Sequence, residues 1–482
     1  GYHFTARALV KDSQGRPHAF IGSATLDSVA VEPFQLRFKA LAVGADFGKT
    51  GVVDLSAPIQ ASLRGFKALF PVASVQTYPA AASAIPYYSP TTPLWLYSWA
   101  TQPAGTYPKK YLLQELNRLC LREKNCRAMI GFAPPAWPAA DGLTWPEIAP
   151  RSAFVKNNVA QGTQYIMAHE LGHLASFEHL ETPAAEGYNV QKREVMRYSI
   201  DQDVFDFMTE DPVEAASKFL WITEQHYTTL GGWTGAWSAQ AMSAVTADPL
   251  LLVAGVITPT TDATALLPWY QLEAGAWTAP VPGPYRLVFL NASGQEIVGY
   301  TRAFTVEAAL QPAGNGALAL AGEPAPFAFA VPYPTAAAKV QLRRAADNAV
   351  LAEVVPAASA PTLAITPPPA VWQGAQLVAW QSNAPYFAVD VSTDGGATWQ
   401  ALAIDLTAPA FTVQTTALAD TAQAYLRVAA TDGLRTTTAA AGPFTINNPP
   451  LVSSVEPSAG ATGVSVNAVI QAGFRDAMAP AT

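Results

Sequence analysis

Charge is scarce in this chain. Of 482 residues only 13% are Asp, Glu, Lys or Arg, the net charge is −8, and no cluster of Lys and Arg occurs. Nucleic acid is held through many contacts from basic side chains to phosphates. The charge pattern therefore argues against a nucleic-acid partner and against an anionic membrane surface. Cysteine is limited to Cys120 and Cys126. The two can close a small disulfide loop if the protein is exported, or remain two buried thiols near a helix end, and the sequence leaves both open. No apolar run reaches the roughly 20 residues needed to span a membrane. No signal peptide is visible. However, Gly1-Tyr2-His3-Phe4-Thr5 already reads as mid-strand, and Met478-Ala479-Pro480-Ala481-Thr482 breaks off inside a pattern. The sequence thus reads as an internal piece of a longer protein, and a missing signal peptide carries no information about export.

What is present argues for folded, multidomain structure. Half the residues are apolar, and 40 prolines and 32 glycines are spread along the chain as punctuation between short elements. Phe4 to Val10, Ala19 to Leu26 and Phe34 to Val43 read as strands, with a turn at Asp12-Ser13-Gln14-Gly15. Leu63 to Phe70 reads as a short helix running into a strand near Val75. From Lys109 to Glu123, Leu112, Leu113, Leu116, Leu119 and Cys120 recur at helical spacing, and Pro108 suits the start of that helix. Arg127 to Ala133 reads as a buried strand, Pro134 to Pro150 as an ordered loop, and Arg151 to Lys156 as a short edge strand. Gln164 to Ala175 reads as a helix, and Phe219 to Tyr227 as the entry to a closing one that stops at Gly231-Gly232. After about 240 the helical signal gives way to short alternating runs, the pattern of β-sandwich modules in series.

Three of the six histidines fall within His169-Glu170-Leu171-Gly172-His173-Leu174-Ala175-Ser176-Phe177-Glu178-His179. On a helix His169 and His173 leave the same face, a spacing that suits one tetrahedral zinc ion. Glu170 stands beside the first ligand, where it can hold and deprotonate a zinc-bound water. His179 becomes a third ligand if the helix stops and the chain turns back. Three protein ligands leave a fourth position open, the catalytic rather than the structural arrangement.

This stretch resembles the metzincins, zinc endopeptidases with His-Glu-x-x-His-x-x-Gly-x-x-His followed by a methionine-bearing turn. The resemblance implies Zn2+ on His169, His173 and His179, with Glu170 as general base. Ser176 stands where the family has glycine, and the glycine serves a positive φ that serine adopts only at a cost. Glu178 and Glu181 are the reserve ligands should His179 not reach the metal. For the methionine floor the resemblance favours Met208 over Met196. Tyr198, which follows Met196 by two residues, is a candidate oxyanion donor, with His226 and Tyr227 as alternatives. In the family a peptide lies extended along an edge strand above the helix, pairing by β-augmentation. Residues near Leu143 to Val155 are the candidates for that strand, with Trp145 and Phe154 as candidate subsite-lining residues or, equally, packing residues. Calcium stays open as a second ion. The closing-helix stretch and the modules behind it resemble a bacterial secreted subgroup of these peptidases.

The modules carry their own signals. Ser392-Thr393-Asp394-Gly395-Gly396-Ala397-Thr398-Trp399 resembles one Asp-box, a hairpin that recurs in sialidase propellers, but no repeat period accompanies it. Residues 361–448 resemble a fibronectin type III or immunoglobulin-like module, read here as a spacer, and 449–482 resembles the opening of a bacterial immunoglobulin-like domain. The expected fold class is multidomain, an α/β (α+β) metzincin-like catalytic domain followed by all-β sandwich modules. The expected boundaries are an N-terminal β segment over 1–34, the catalytic domain over 35–238, β modules over 239–309 and 310–360, the fibronectin-like module over 361–448 and the incomplete domain over 449–482. The expected function is a secreted or cell-surface zinc endopeptidase acting on protein or peptide substrates, glycoproteins included. The alternative is a surface adhesin or glycan-binding protein whose catalytic domain is degenerate, and a glycan hydrolase rests on the single Asp-box.

Overall fold

The computed structural model describes residues 2–11, 17–26, 35–42, 74–77, 85–86, 107–123, 126, 129–133, 142–145, 149–156, 169–170, 244–306, 311–312, 324–415, 418–450, 452–456 and 469–474. Among these residues the chain is mostly β-sheet with one long helix. The expected elements Leu63 to Phe70 and Phe219 to Tyr227 lie outside them.

Strands β1 (Tyr2–Lys11) and β2 (Pro17–Leu26) pair antiparallel along their whole length, as their sequence predicts. Next come β3 (Gln35–Ala42), β4 (Ser74–Thr77), β5 (Ile85–Pro86), helix α1 (Tyr107–Arg122), β6 (Met129–Ala133), β7 (Gly142–Trp145) and β8 (Ala149–Lys156). Strand β3 runs parallel to β4, β5 and β6, and β6 runs parallel to β8. Only β7 reverses, pairing antiparallel with β8. Two expectations are corrected here. The loop expected over Pro134 to Pro150 contains a strand, β7. The strand expected at an edge, β8, is interior, between β6 and β7. Its buried run Ser152, Ala153, Phe154 and Val155 fits a strand covered on both faces.

The second region holds β9 (Ala244–Val245), β10 (Leu250–Thr258), β11 (Ala263–Leu266), β12 (Tyr270–Leu272), β13 (Ala276–Trp277), β14 (Tyr285–Leu290), β15 (Arg302–Phe304), β16 (Gln311–Pro312), β17 (Ala325–Pro332), β18 (Lys339–Arg344) and β19 (Val350–Val354). Strand β10 pairs with β17, and β14 pairs with β18. The module boundary expected near 309 is therefore corrected, because the strands on its two sides complete each other's sheets. The third region holds β20 (Leu363–Ile365), β21 (Val371–Trp372), β22 (Ala375–Ser382), β23 (Tyr386–Ser392), β24 (Gln400–Leu406), β25 (Ala410–Gln414), β26 (Thr421–Thr431) and β27 (Thr436–Ile446). It is a sandwich, with β20-β22-β25 facing β21-β27-β26-β23-β24. Its core includes Trp372 stacked on Phe444 at 4.0 Å between centroids. Strands β28 (Val452–Glu456) and β29 (Gln471–Phe474) form a final antiparallel pair.

Helix α1 joins these regions. Its sequence has no glycine and no β-branched residue, and Pro108 sits in the first turn, where its missing N–H costs nothing. Leu113, Leu116 and Leu119 are buried, as their spacing predicts. The opposite face is buried as well. Gln114 Nε2 donates to the carbonyls of Gly255 at 2.8 Å and Phe327 at 2.7 Å, and Asn117 Nδ2 to that of Ala328 at 3.0 Å. Arg118, fully buried, donates to both carboxylate oxygens of Asp405 at 2.6 and 2.9 Å, to Glu115 at 2.7 Å and to the Pro268 carbonyl at 3.1 Å. Arg122 holds both oxygens of the buried Asp390 at 2.9 and 3.1 Å, and Arg427 Nε reaches the same carboxylate at 3.0 Å. A disulfide between Cys120 and Cys126 ties down the end of the helix, deciding between the two states the sequence left open.

One guanidinium between two carboxylates leaves an excess negative charge out of water. Burial is the main effect on Glu115, and together with nearby Asp405 it outweighs the pull of Arg118, so the Glu115 carboxyl is pushed up to about 7. Burial works against the charge on Arg118, but Asp405 and Glu115 outweigh it and hold the guanidinium protonated. Removing one partner of a buried pair leaves the other uncompensated, which costs about 3–5 kcal/mol. Arg118→Met is therefore expected to lower the stability of the chain by that amount in urea unfolding, and Arg118→Met with Asp405→Asn to recover part of the loss. A carboxyl raised on folding takes up a proton on folding. Its contribution is then full at low pH and is lost as pH rises from 4.5, its ordinary value, through about 7. At about 1.4 kcal/mol per unit, the loss between pH 5 and 8 should reach up to about 3 kcal/mol. Glu115→Gln should flatten that part of the stability profile, read as the urea midpoint at the two pH values.

Candidate active site

The site is assembled from a strand and a helical turn. Strand β7 is Gly142-Leu143-Thr144-Trp145, paired to β8 through Gly142 with Val155, Leu143 with Phe154 and Thr144 with Ala153. Strand β8 is in turn fastened to α1, because the Ser152 hydroxyl donates to the Leu113 carbonyl at 3.0 Å. Thr144 is thus held at a defined height, with no exposed surface.

His169 and Glu170 are consecutive helical residues, each 1% exposed. The Thr144 hydroxyl lies 2.5 Å from Glu170 Oε2, to which it donates, and 3.1 Å from the Glu170 carbonyl. Glu170 Oε1 is buried and has no hydrogen-bond partner among the described residues. Burial pushes the Glu170 carboxyl up to about 8, while the Thr144 hydroxyl pulls the other way. A neighbouring positive charge would bring it down again. A buried carboxylate oxygen left unpaired carries a desolvation penalty of about 1–3 kcal/mol or more unless a water or a ligand meets it. A buried imidazole is thus followed directly by a half-satisfied buried carboxylate.

The other expected site residues fall in two groups. His173, His179, Ser176, Glu178, Glu181, Met196, Tyr198, Met208, His226 and Tyr227 lie outside the described residues. Among the described residues no group of three or more His, Cys, Asp or Glu side chains is placed to hold a metal ion. Trp145 ends β7 opposite Ala149. Phe154 is fully buried in a core shared with Leu113 and Leu116, which gives it a packing role. Sequence reasoning missed Thr144. The signal for it was the short β-prone run Leu143-Thr144-Trp145, submerged among prolines and tryptophans.

The Asp-box-like hairpin is satisfied within itself. Ser392 Oγ donates to Asp394 Oδ1 at 2.7 Å, Gly396 N to Ser392 Oγ at 2.8 Å and Thr398 Oγ1 to Asp394 Oδ2 at 2.5 Å. Trp399 beside it lies under the Arg427 guanidinium at 4.4 Å. These groups hold a turn and leave little to offer a ligand.

The Thr144–Glu170 contact can be checked through stability. Thr144→Val keeps the shape and removes the donor, and should cost about 1–3 kcal/mol in thermal unfolding. Thr144→Ser keeps the hydroxyl and should lose less than half as much.

The chain matches no family model and no curated protein. Two solved structures are similar to parts of it. One is a two-domain fibronectin type III segment from chicken tenascin, at 10% identity and a TM-score of 0.14, covering 42% of this chain and 97% of that one. The other is a beta-1,2-glucanase from Parabacteroides distasonis, at 14% identity and a TM-score of 0.14, covering 42% of this chain and 29% of that one.

Proposed function

We propose that this chain is a zinc-dependent endopeptidase that hydrolyses extended peptides, exported to an oxidising compartment, with β-sandwich modules built onto its catalytic unit. The observation that carries the reading is Glu170. It is buried, follows the buried His169 directly, is held at one oxygen by Thr144 of β7, and is unpaired at the other. A general base needs that state: one oxygen fixed for orientation, the other open to a proton.

His169, His173 and His179 would hold the zinc, which when bound supplies a Lewis acid for the scissile carbonyl. The rest falls to this chain's own residues. Glu170 Oε1 accepts a hydrogen bond from the attacking water and takes its proton, while Thr144 keeps the carboxylate from rotating away. Glu170 then gives the proton to the leaving amine. A peptide laid antiparallel along β7 passes beside this base, its backbone paired as an added strand. The β3–β8 sheet, parallel except for β7, with α1 packed on it, supports a metzincin-like α/β catalytic unit over 35–238. The Cys120–Cys126 disulfide supports export.

The test uses the full chain. Purified protein is expected to carry about one zinc ion per chain and to cleave casein. Glu170→Ala should keep the zinc and lose cleavage by at least about a hundredfold. Protein without zinc would overturn the site. Zinc-loaded protein whose cleavage matches that of Glu170→Ala would overturn the enzyme and leave the adhesin reading standing.

A further inference from the structure

Strand β7 has a second neighbour. On the side away from β8 it pairs antiparallel with β16, Gln311 opposite Thr144 and Pro312 opposite Leu143. Strand β16 lies in the chain between β15 and β17, which belong to two sheets of the second region, yet it joins neither of them. It is the outermost strand of the sheet that carries Thr144.

We propose that β16 is a built-in occupant of the peptide-binding edge of β7, so that the chain takes an extended peptide there only when β16 has left. Gln311 stands opposite the residue whose hydroxyl contacts Glu170. Paired strands lie about 4.8 Å apart, so whatever occupies this position passes at the level of that carboxylate. An incoming peptide pairing antiparallel with β7 needs the same backbone groups of Leu143 and Thr144. The two cannot be bound together.

The composition of β16 suits an occupant that can be displaced. It pairs over two residues only, and Pro312 has no N–H to donate. At about 1 kcal/mol per hydrogen bond, such a pairing is weak. Pro312 also makes the new outer edge a poor template for a further strand. What keeps β16 in place is proximity. The sheet that carries β17, the next strand in sequence, is joined to the sheet of β7 through α1, by Gln114 to Gly255 and Phe327 and by Asn117 to Ala328. Such tethering gives a high effective concentration at the edge.

The purpose of the bound peptide rests on the endopeptidase reading, but its binding does not. Two variants of the full chain weaken β16: Gln311→Pro, which removes its remaining donor, and Gln311→Gly with Pro312→Gly, which removes its stiffness. Each is placed in a Glu170→Ala background, so that nothing is cut, and titrated against a fluorescein-labelled casein peptide by anisotropy. Binding should tighten at least about fivefold over Glu170→Ala alone, since an occupant reduces apparent affinity by the fraction of time it is present. Hydrogen exchange over residues 142–145 should quicken in both variants. Equal peptide affinity, or unchanged exchange, in both variants overturns the inference, and Glu170-dependent casein cleavage then leaves the endopeptidase reading standing. Tighter binding with no Glu170-dependent cleavage overturns that reading and keeps β16 as the occupant of a peptide-binding edge.

Discussion

The Arg118 guanidinium sits at the junction of everything else in the molecule. It has no exposure to water, and four acceptors surround it: both oxygens of Asp405, one of Glu115 and the Pro268 carbonyl. A buried charge is tolerable only when its partners are in place, because the penalty for stranding it is several kcal/mol. The acceptors come from three places in the chain, α1, the turn before β12, and β24. Asp405 holds a left-handed backbone at φ 59°, at a slip in register between β23 and β24. That conformation costs a non-glycine residue on the order of 1 kcal/mol, and the bidentate pair with Arg118 offsets it.

A second pair repeats the arrangement one turn along. Arg122 and Arg427 share the carboxylate of Asp390, Arg122 lies over the Tyr270 ring, and Arg427 over that of Trp399. Helix α1 therefore has two buried faces. Its leucines meet the sheet of β3 to β8, and its polar face meets the β regions that follow. Those regions wall in the helix that supports β8. From there a short series of contacts reaches Glu170: Leu113 to Ser152, β8 to β7, and Thr144 to Glu170. Orientation of the Glu170 carboxyl depends on packing that begins far downstream in sequence.

Much of this was legible locally. The hairpin of β1 and β2, the helix α1, the buried strand β6 and the run of sandwich strands all follow from short-range alternation or helical spacing. His169 and Glu170 stood out in the sequence because residues four apart on a helix share a face, the spacing expected of a metal site and its base. Thr144 did not, since one hydroxyl on a four-residue strand leaves no periodic trace. The continuity of the chain's sheets across 309 was not legible either, because Pro- and Ala-rich composition marks loops inside a sandwich as readily as linkers between domains.

By itself the sequence determined which segments form elements, and that Glu170 follows a histidine on a helix, because those properties depend on neighbours within about one turn or one strand. The tertiary structure alone decided what each element meets. Gln114, Glu115, Asn117, Arg118 and Arg122 make a polar helix face whose spacing is the same whether it faces water or Asp390 and Asp405. The partner of β10 is β17, and that of β7 is β16, each chosen by non-local packing. Backbone pairing uses groups that every residue carries, so the choice of partner is written in the assembled core and not in either strand.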